Sequence, residues 1–395
     1  MPTYTEALSI ERTGAATLPD VGLPRTDPAP DPFTGRSPDL AGQHPLPPVG
    51  TLTRRSFGVG AAAAVTAAVT AVVTGCAADG SKPAAGGVDK VTFLTTFGSQ
   101  GRDSYAYVAV EKGFFTEVGI EVDVQPGKAG DYNHQILASG KAQFACVDAS
   151  GALIRYANGA DTSFQILGAV HQTTLISIIA LASSGIRTPK DLEGKTLGTA
   201  PGAVPQTVFP AYAKLAGIDG SKVTWQNAAP EQLNGLVAAG RIHGAGLFLV
   251  GQPGVEAAAN GAKAVVLPYS DYITDLYGAV VIAPKSITAD NPDLARRFTT
   301  ALFKGLDYAV NHPGEAGEIL HKKIPAQNPK VAAAELALMK PYVTTGPDVP
   351  IGSVDPARVA QSVAILGAVG LLPIGANPDL PRQLVNFDIA PKASR

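Results

Sequence analysis

The side chains able to do chemistry in this 395-residue chain are few, and they fall where short apolar runs give way to helical patterns. Asp103 stands before Ser104, and Asp148 before Ala149 and Ser150. A carboxylate so placed can accept from the amines of a heteroaromatic ring or pair with a cation, and it can equally cap the helix that follows. Arg102 is the cation placed to meet a sulfonate or carboxylate. The turn Gly198-Thr199-Ala200-Pro201-Gly202-Ala203-Val204 puts backbone N–H groups and a hydroxyl at a helix start, which suits an anionic or polar group. Gln172, with His171 beside it, and Asn227 lie in loops of the same kind. Phe97, Tyr105, Trp225, Phe248, Tyr269, Tyr272 and Tyr277 lie near these loops. Singly, such residues are more often core. Gathered on one cleft, they would offer flat apolar faces with polar tips to a heteroaromatic ring. The expected ligand contacts are therefore Phe97, Arg102, Asp103, Tyr105, Asp148, Ser150, Gln172, Thr199, Gly202, Ala203, Asn227, Phe248 and Tyr272.

Other chemistries find little support. The six His residues show no short-range ligand pairing, so neither a metal nor another cofactor is expected. The turn at 198–204 lacks the Lys-Ser/Thr ending of a nucleotide-binding loop. Asp148-Ala149-Ser150-Gly151 lacks the first Gly of a nucleophile elbow, and no catalytic residue is assigned. A formal charge of −2 without long basic runs points away from nucleic acid. Cys146, in Phe144-Ala145-Cys146-Val147, reads as a small buried hydrophobe.

From Val91 onward, short apolar runs alternate with amphipathic stretches, the pattern of an α/β protein with largely parallel sheets. Strands are expected at 91–94, 120–124, 144–147, 164–170 and 177–182, then at 196–199, 223–226, 246–250, 264–267 and 278–282. Helices are expected between them, the first over 104–115, and the chain after Asn291 reads as mostly helical. An α/β series, an inserted second series and a helical return predict two lobes joined by two crossings, placed at Ser177 to Ala182 and Gly278 to Ala283. Lobe one is then 89–182 with 279–395, and lobe two 183–278. Paired crossings imply a hinge, and a hinge around a cleft closes on ligands.

Ahead of this body, residues 1–52 are rich in Pro, Asp, Gly and Thr and read as a disordered extension. Residues 53–75 have the order of an export signal: Arg54-Arg55 followed by Phe57, a weakly apolar span, and a small-residue end at Val73-Thr74-Gly75. Val73-Thr74-Gly75-Cys76 resembles a bacterial lipobox, which would make Cys76 the lipid-modified first residue, with 76–88 a tether. Extracytoplasmic anchoring at the bacterial cell membrane is the expected address.

Three segments carry a family resemblance. Tyr107-Val108-Ala109-Val110-Glu111-Lys112-Gly113-Phe114-Phe115 with Val118-Gly119-Ile120-Glu121-Val122 resembles the opening of the sulfonate, nitrate, taurine and thiamine-pyrimidine-precursor binding proteins. Ala138-Ser139-Gly140-Lys141-Ala142-Gln143-Phe144 is similar to their helix-to-strand turn, and Pro189-Lys190-Asp191-Leu192-Glu193-Gly194-Lys195-Thr196-Leu197-Gly198 to the start of their second lobe. The resemblance implies a two-lobed periplasmic-binding-protein fold of type II. It also implies a monomer that captures a small solute for an ABC permease with its ATPase. The same superfamily includes enzymes that make the thiamine pyrimidine, an alternative that the absence of a Cys cluster or His pair in the sequence and the export signal weigh against, so no enzyme is expected. A thiamine-pyrimidine-precursor-like solute fits the aromatics and the two Asp residues; an alkanesulfonate, taurine or nitrate fits the 198–204 turn and Arg102. A solute-sensing lipoprotein without a transporter would share every one of these features.

Overall fold

The computed structural model describes residues 87–392 apart from 345, 347, 348 and 374–376. The extension, the export signal with Arg54 and Arg55, Cys76 and nearly all of the tether lie outside the described residues. In chain order the strands are β1 (Asp89–Leu94), β2 (Ile120–Gln125), β3 (Phe144–Asp148), β4 (Phe164–Ala169), β5 (Ile176–Leu181), β6 (Thr196–Thr199), β7 (Thr224–Asn227), β8 (Gly244–Phe248), β9 (Ala264–Pro268) and β10 (Ala279–Pro284). They form two five-stranded sheets, ordered β2-β1-β3-β10-β4 and β7-β6-β8-β5-β9. β1 pairs parallel with β2 and β3, and β6 parallel with β7 and β8. β10 is antiparallel to β3 and β4, and β5 is antiparallel to β8 and β9.

The expected crossings are displaced. The run expected to cross at Ser177–Ala182 is β5, already inside the second sheet, and the run at Gly278–Ala283 is β10, already back in the first. The chain changes sheets earlier each time, over 170–175 and 269–278. Every residue of β5 is buried, so its sequence has no alternation to say which sheet it serves.

The first helix, expected to run to Phe115, spans Ser104–Glu111. Gly113, at φ 75°, supplies the left-handed residue that stops it, and a short helix Phe114–Glu117 follows. The long helix Pro292–Asn311 starts with Asn291 accepting from Leu294 N at 3.1 Å and with Pro at its first position. It buries Leu294, Phe298, Leu302, Leu306 and Ala309, one face at helical spacing. Gly305 lets it lie close against Ser104–Glu111, because a Cβ there would come within 2.6 Å of the Tyr105 carbonyl and the Ala109 methyl.

Phe298 brings that helix onto the first sheet. Its ring stacks on Phe144 of β3 at 3.7 Å and on Phe115 at 5.2 Å. After the helices Pro313–Lys323 and Pro329–Val343 the chain returns to the sheet edge, where Gly352 bridges Ala169 and Val385 bridges Ile166. Helix Pro356–Ala368, capped by Asp355, and the short helix Leu380–Leu384 complete the described chain.

Phe298→Ala should lower unfolding stability by about 3–5 kcal/mol, the usual cost of emptying an aromatic core position. Urea unfolding would show a lower midpoint with unchanged slope; a shift under about 1 kcal/mol would mean that the aromatic stack does not hold the helix to the sheet.

Candidate functional site

The carboxyl ends of β3, at Val147 and Asp148, and of β8, at Gly246 to Phe248, border one space, and ligands of open α/β sheets sit beyond such ends. A cavity of about 300 Å³ lies there. The first sheet and its helices line it with Thr96, Phe97, Asp131, His134, Asp148, Gly151 and Arg155, among others; the second contributes Gly202, Ala203, Val204, Pro205, Thr207 and Gly246 to Phe248.

Asp148 ends β3 and begins helix Ala149–Ala157. Its Oδ1 accepts from Ser150 N at 2.8 Å and Gly151 N at 3.3 Å, so it is a helix cap. Its Oδ2 is buried and has no hydrogen-bond partner, and Asp148 lines the cavity. The cap and the ligand contact expected of this residue are thus served by different oxygens. Burial pushes the carboxyl up to about 7, against the pull of the two N–H groups and of the nearby Ser150 hydroxyl.

Phe97 and Phe248 meet edge to face across the cleft, with ring centroids 6.3 Å apart and planes at 87°. Arg102 does not reach the cavity. Its guanidinium lies 5.3 Å from the Phe248 ring centroid, donates from Nη2 to the Phe97 carbonyl at 2.7 Å, and stands 3.8 Å from Asp103. Asp103 is buried behind it and accepts from Gln100 N at 3.1 Å and Thr96 N at 3.4 Å, holding the loop that presents Phe97. Burial raises the Asp103 carboxyl, with Arg102 opposing.

The other expected contacts divide. Gly202 and Ala203 line the cavity, whereas Asn227 lines an adjoining shallow groove with Lys128, Tyr132 and Pro201. Ser150, Thr199 and Tyr105 are buried with hydroxyls lacking a partner, but none lines the cavity. Gln172 donates from Nε2 to Ser353 O at 3.0 Å in the first crossing. Tyr272 is 39% exposed and packs edge-on against Tyr212. Trp225 abuts Phe209 and Tyr269 stacks on Tyr212 at 4.2 Å, building the second sheet's own core. Tyr277 is buried at the second crossing. The 198–204 turn and the helix start after it offer fewer free N–H groups than expected: Ala203 N is spent on Ala200 O, Gln206 N on Ala203 O, and Pro205 has none.

Among the wall residues absent from the expected set are the three other ionisable ones, Asp131, His134 and Arg155. Arg155 Nη1 lies 2.5 Å from Asp131 Oδ1. His134 Nδ1 lies 3.3 Å from Asp161, and its ring packs on Phe164. Desolvation, then the charge of Arg155, lowers His134 to about 4, so it is neutral at pH 7. Asp131 and Arg155 sit on the helices that follow β2 and β3, 24 positions apart, and no local spacing announces the pair. Gly202, at φ 69°, comes down on Asp131, where a Cβ would stand 2.5 Å from Oδ2. Among the described residues no cluster of His, Cys, Asp or Glu could hold a metal ion.

The NMT1/THI5 like family matches this chain over residues 104–316, more than half its length. The chain belongs to that family. The riboflavin-binding protein RibY of Chloroflexus aurantiacus is 24% identical over 221 residues, which are 55% of this chain and 62% of that protein; the match thus spans less than two thirds of that relative. The formylaminopyrimidine-binding protein of Halalkalibacterium halodurans is 23% identical over 218 residues, 55% of this chain and 65% of that one. Among solved structures, the alkanesulfonate-binding protein SsuA of Xanthomonas axonopodis, bound to MOPS, superimposes with a TM-score of 0.59 at 16% identity, covering 73% of this chain and 96% of its own. That likeness is one of fold, the mixed α/β, two-sheet architecture of periplasmic binding proteins.

Asp148→Asn keeps an acceptor for the helix cap and removes the charge. Folding raises the Asp148 carboxyl from its ordinary 3.8 to about 7, so within that window the native state binds more protons than the unfolded one. Its contribution to stability is greatest at low pH and is lost as pH rises from about 4 to about 7. The stability of the variant relative to the parent should therefore grow across that range and level off above it in urea titrations. A difference independent of pH would mean that Asp148 is ionised throughout.

Proposed function

We propose that the protein is the solute-binding component of an ABC importer and closes its two halves on a small polar or heteroaromatic solute, a thiamine-pyrimidine-precursor-like ring being favoured. The observation that carries this is Asp148 Oδ2, buried and unpartnered in a cavity walled by Phe97 and Phe248. A buried acceptor without a donor costs about 1–3 kcal/mol. A ring amine entering the cavity would offset that cost, with the phenylalanines against its faces. Two relatives named for binding a flavin and an aminopyrimidine agree in chemistry with such a solute. The wall also weighs against sulfonate, taurine or nitrate: Arg102 is turned away, Arg155 is neutralised by Asp131, and the second sheet adds no cation.

The export signal at Arg54-Arg55 and the lipid site at Cys76 fit this role, because they would hold a monomeric receptor on the outer side of the cell membrane beside a permease and its ATPase. In this reading the protein binds and delivers without catalysis.

Thermal-shift titration with riboflavin, an aminopyrimidine, taurine, ethanesulfonate and nitrate tests the assignment. A solute binding the native state stabilises by about 2.7 kcal/mol at a hundred times its dissociation constant. The expected responder is an aminopyrimidine or flavin, with Asp148→Asn weakening it about tenfold or more, the scale of one lost hydrogen bond to a charged group. A response to ethanesulfonate or nitrate alone would reverse the ligand class, and silence toward all five would remove the heteroaromatic reading.

A further inference from the structure

The two crossings are not free joints. Arg358, half-buried in helix Pro356–Ala368, donates from Nη2 to the Gln172 carbonyl at 2.6 Å and from Nη1 to Gln172 Oε1 at 3.4 Å, on the first crossing. The same guanidinium lies over the ring of Tyr277, on the second crossing, 4.2 Å from its centroid. The Tyr277 hydroxyl accepts from Asp355 N at 2.9 Å, and Ser362 Oγ donates to Asp275 O at 3.0 Å. Gln172 N reaches the Tyr342 carbonyl at 2.6 Å, while its side chain holds Ser353 O. Asp275 sits at φ 60°, a conformation that a non-glycine residue keeps only where its surroundings hold it.

One arginine therefore touches both strands of the hinge without lining the cavity, while the halves are in contact through Phe97 with Phe248 and through Asp131 with Gly202. A contact made in one conformation and broken in another biases the equilibrium between them by its own free energy. The crossings are bonded to each other at His171 with Gly278 and Ala279 and at Thr174 with Leu276, so rotation turns Gln172 and Tyr277 together relative to helix Pro356–Ala368, and a planar guanidinium bonded to the one and stacked on the other cannot follow. The packing of helix Pro356–Ala368 against helix Ala149–Ala157 anchors the arginine to the first-sheet half.

We propose that Arg358 is a positioning residue for solute capture, a clamp across both hinge strands that favours the closed arrangement without touching the solute. Its consequence for uptake rests on the solute-binding reading; its effect on the hinge does not. Loss of the clamp lowers the closed population and weakens apparent affinity in proportion.

The test is made on the full chain without solute. Cys76→Ser is the background, Cys146 is fully buried, and spin labels go on Gln135→Cys and Gln232→Cys, exposed positions on opposite sides of the cleft. Electron–electron resonance should give mainly the short distance in the parent and a population shifted to longer distance in Arg358→Ala. Arg358→Lys, which keeps charge over the ring but loses the fork, should fall between them. Tyr277→Phe removes only the hydroxyl that accepts from Asp355 and decides the matter should Arg358→Ala fail to fold; it should shift the distribution the same way to a smaller extent. If these variants lose thermal stability while the distance distribution stays that of the parent, Arg358 merely fastens the terminal helix and the proposal is overturned. Because the distances are measured without solute, silence in the solute screen would leave the behaviour of the hinge as these labels show it.

Discussion

Everything in this molecule depends on an exchange of strands. β10 arrives from the second sheet to lie antiparallel between β3 and β4, and β5 arrives from the first to lie antiparallel between β8 and β9. Neither is an edge strand, so neither sheet is continuous without the chain's crossing. The crossings also bond to each other: His171 N to Ala279 O at 3.1 Å, Gly278 N to His171 O at 3.1 Å, and Thr174 N to Leu276 O at 2.8 Å. Two rigid blocks on a short paired hinge follow directly, because only segments 170–175 and 269–278 can turn without tearing a ladder.

The exchange also decides where polarity is stored. Strands delivered to the sheet interiors are apolar almost throughout, so polar groups collect at strand ends and in the loops beyond them. There the packing leaves Asp148 Oδ2, Ser150 Oγ and Thr199 Oγ1 buried and unpaired. Buried polar atoms are nearly always satisfied in folded proteins, so a set of exceptions near one cavity is informative. Local consistency is given up where function is expected to reside. Burial shifts the nearby His171 in the opposite sense, down to about 3, so the hinge carries a neutral imidazole whose Nδ1 accepts from Ala279 N.

Much of the fold was legible because its signals are local. Periodicity located the strands and most helices to within a few residues, and Gly113 and Pro292 mark boundaries by backbone chemistry alone. Which sheet a fully apolar run joins is settled by tertiary pairing, and each expected crossing is therefore displaced onto the strand that follows the true one. At the site, Asp148, Phe97, Phe248, Gly202 and Ala203 could be named because strand ends and turns predict what a cleft exposes. Arg102 looked like a ligand cation since sequence shows charge but not the carbonyl it is spent on. Asp131, His134 and Arg155 were illegible for the converse reason: their proximity exists only once the chain after β2 and the chain after β3 fold against one cavity.

Gly202 carries a last consequence. Its left-handed backbone and its nearness to Asp131 mean that the smallest residue sits where the two halves come together. The gap at this contact is thus gauged by a hydrogen atom, and any larger side chain there would act as a shim of fixed thickness. A graded series of such shims would set the spacing of the two halves, and with it the width of the cavity beside them, in steps.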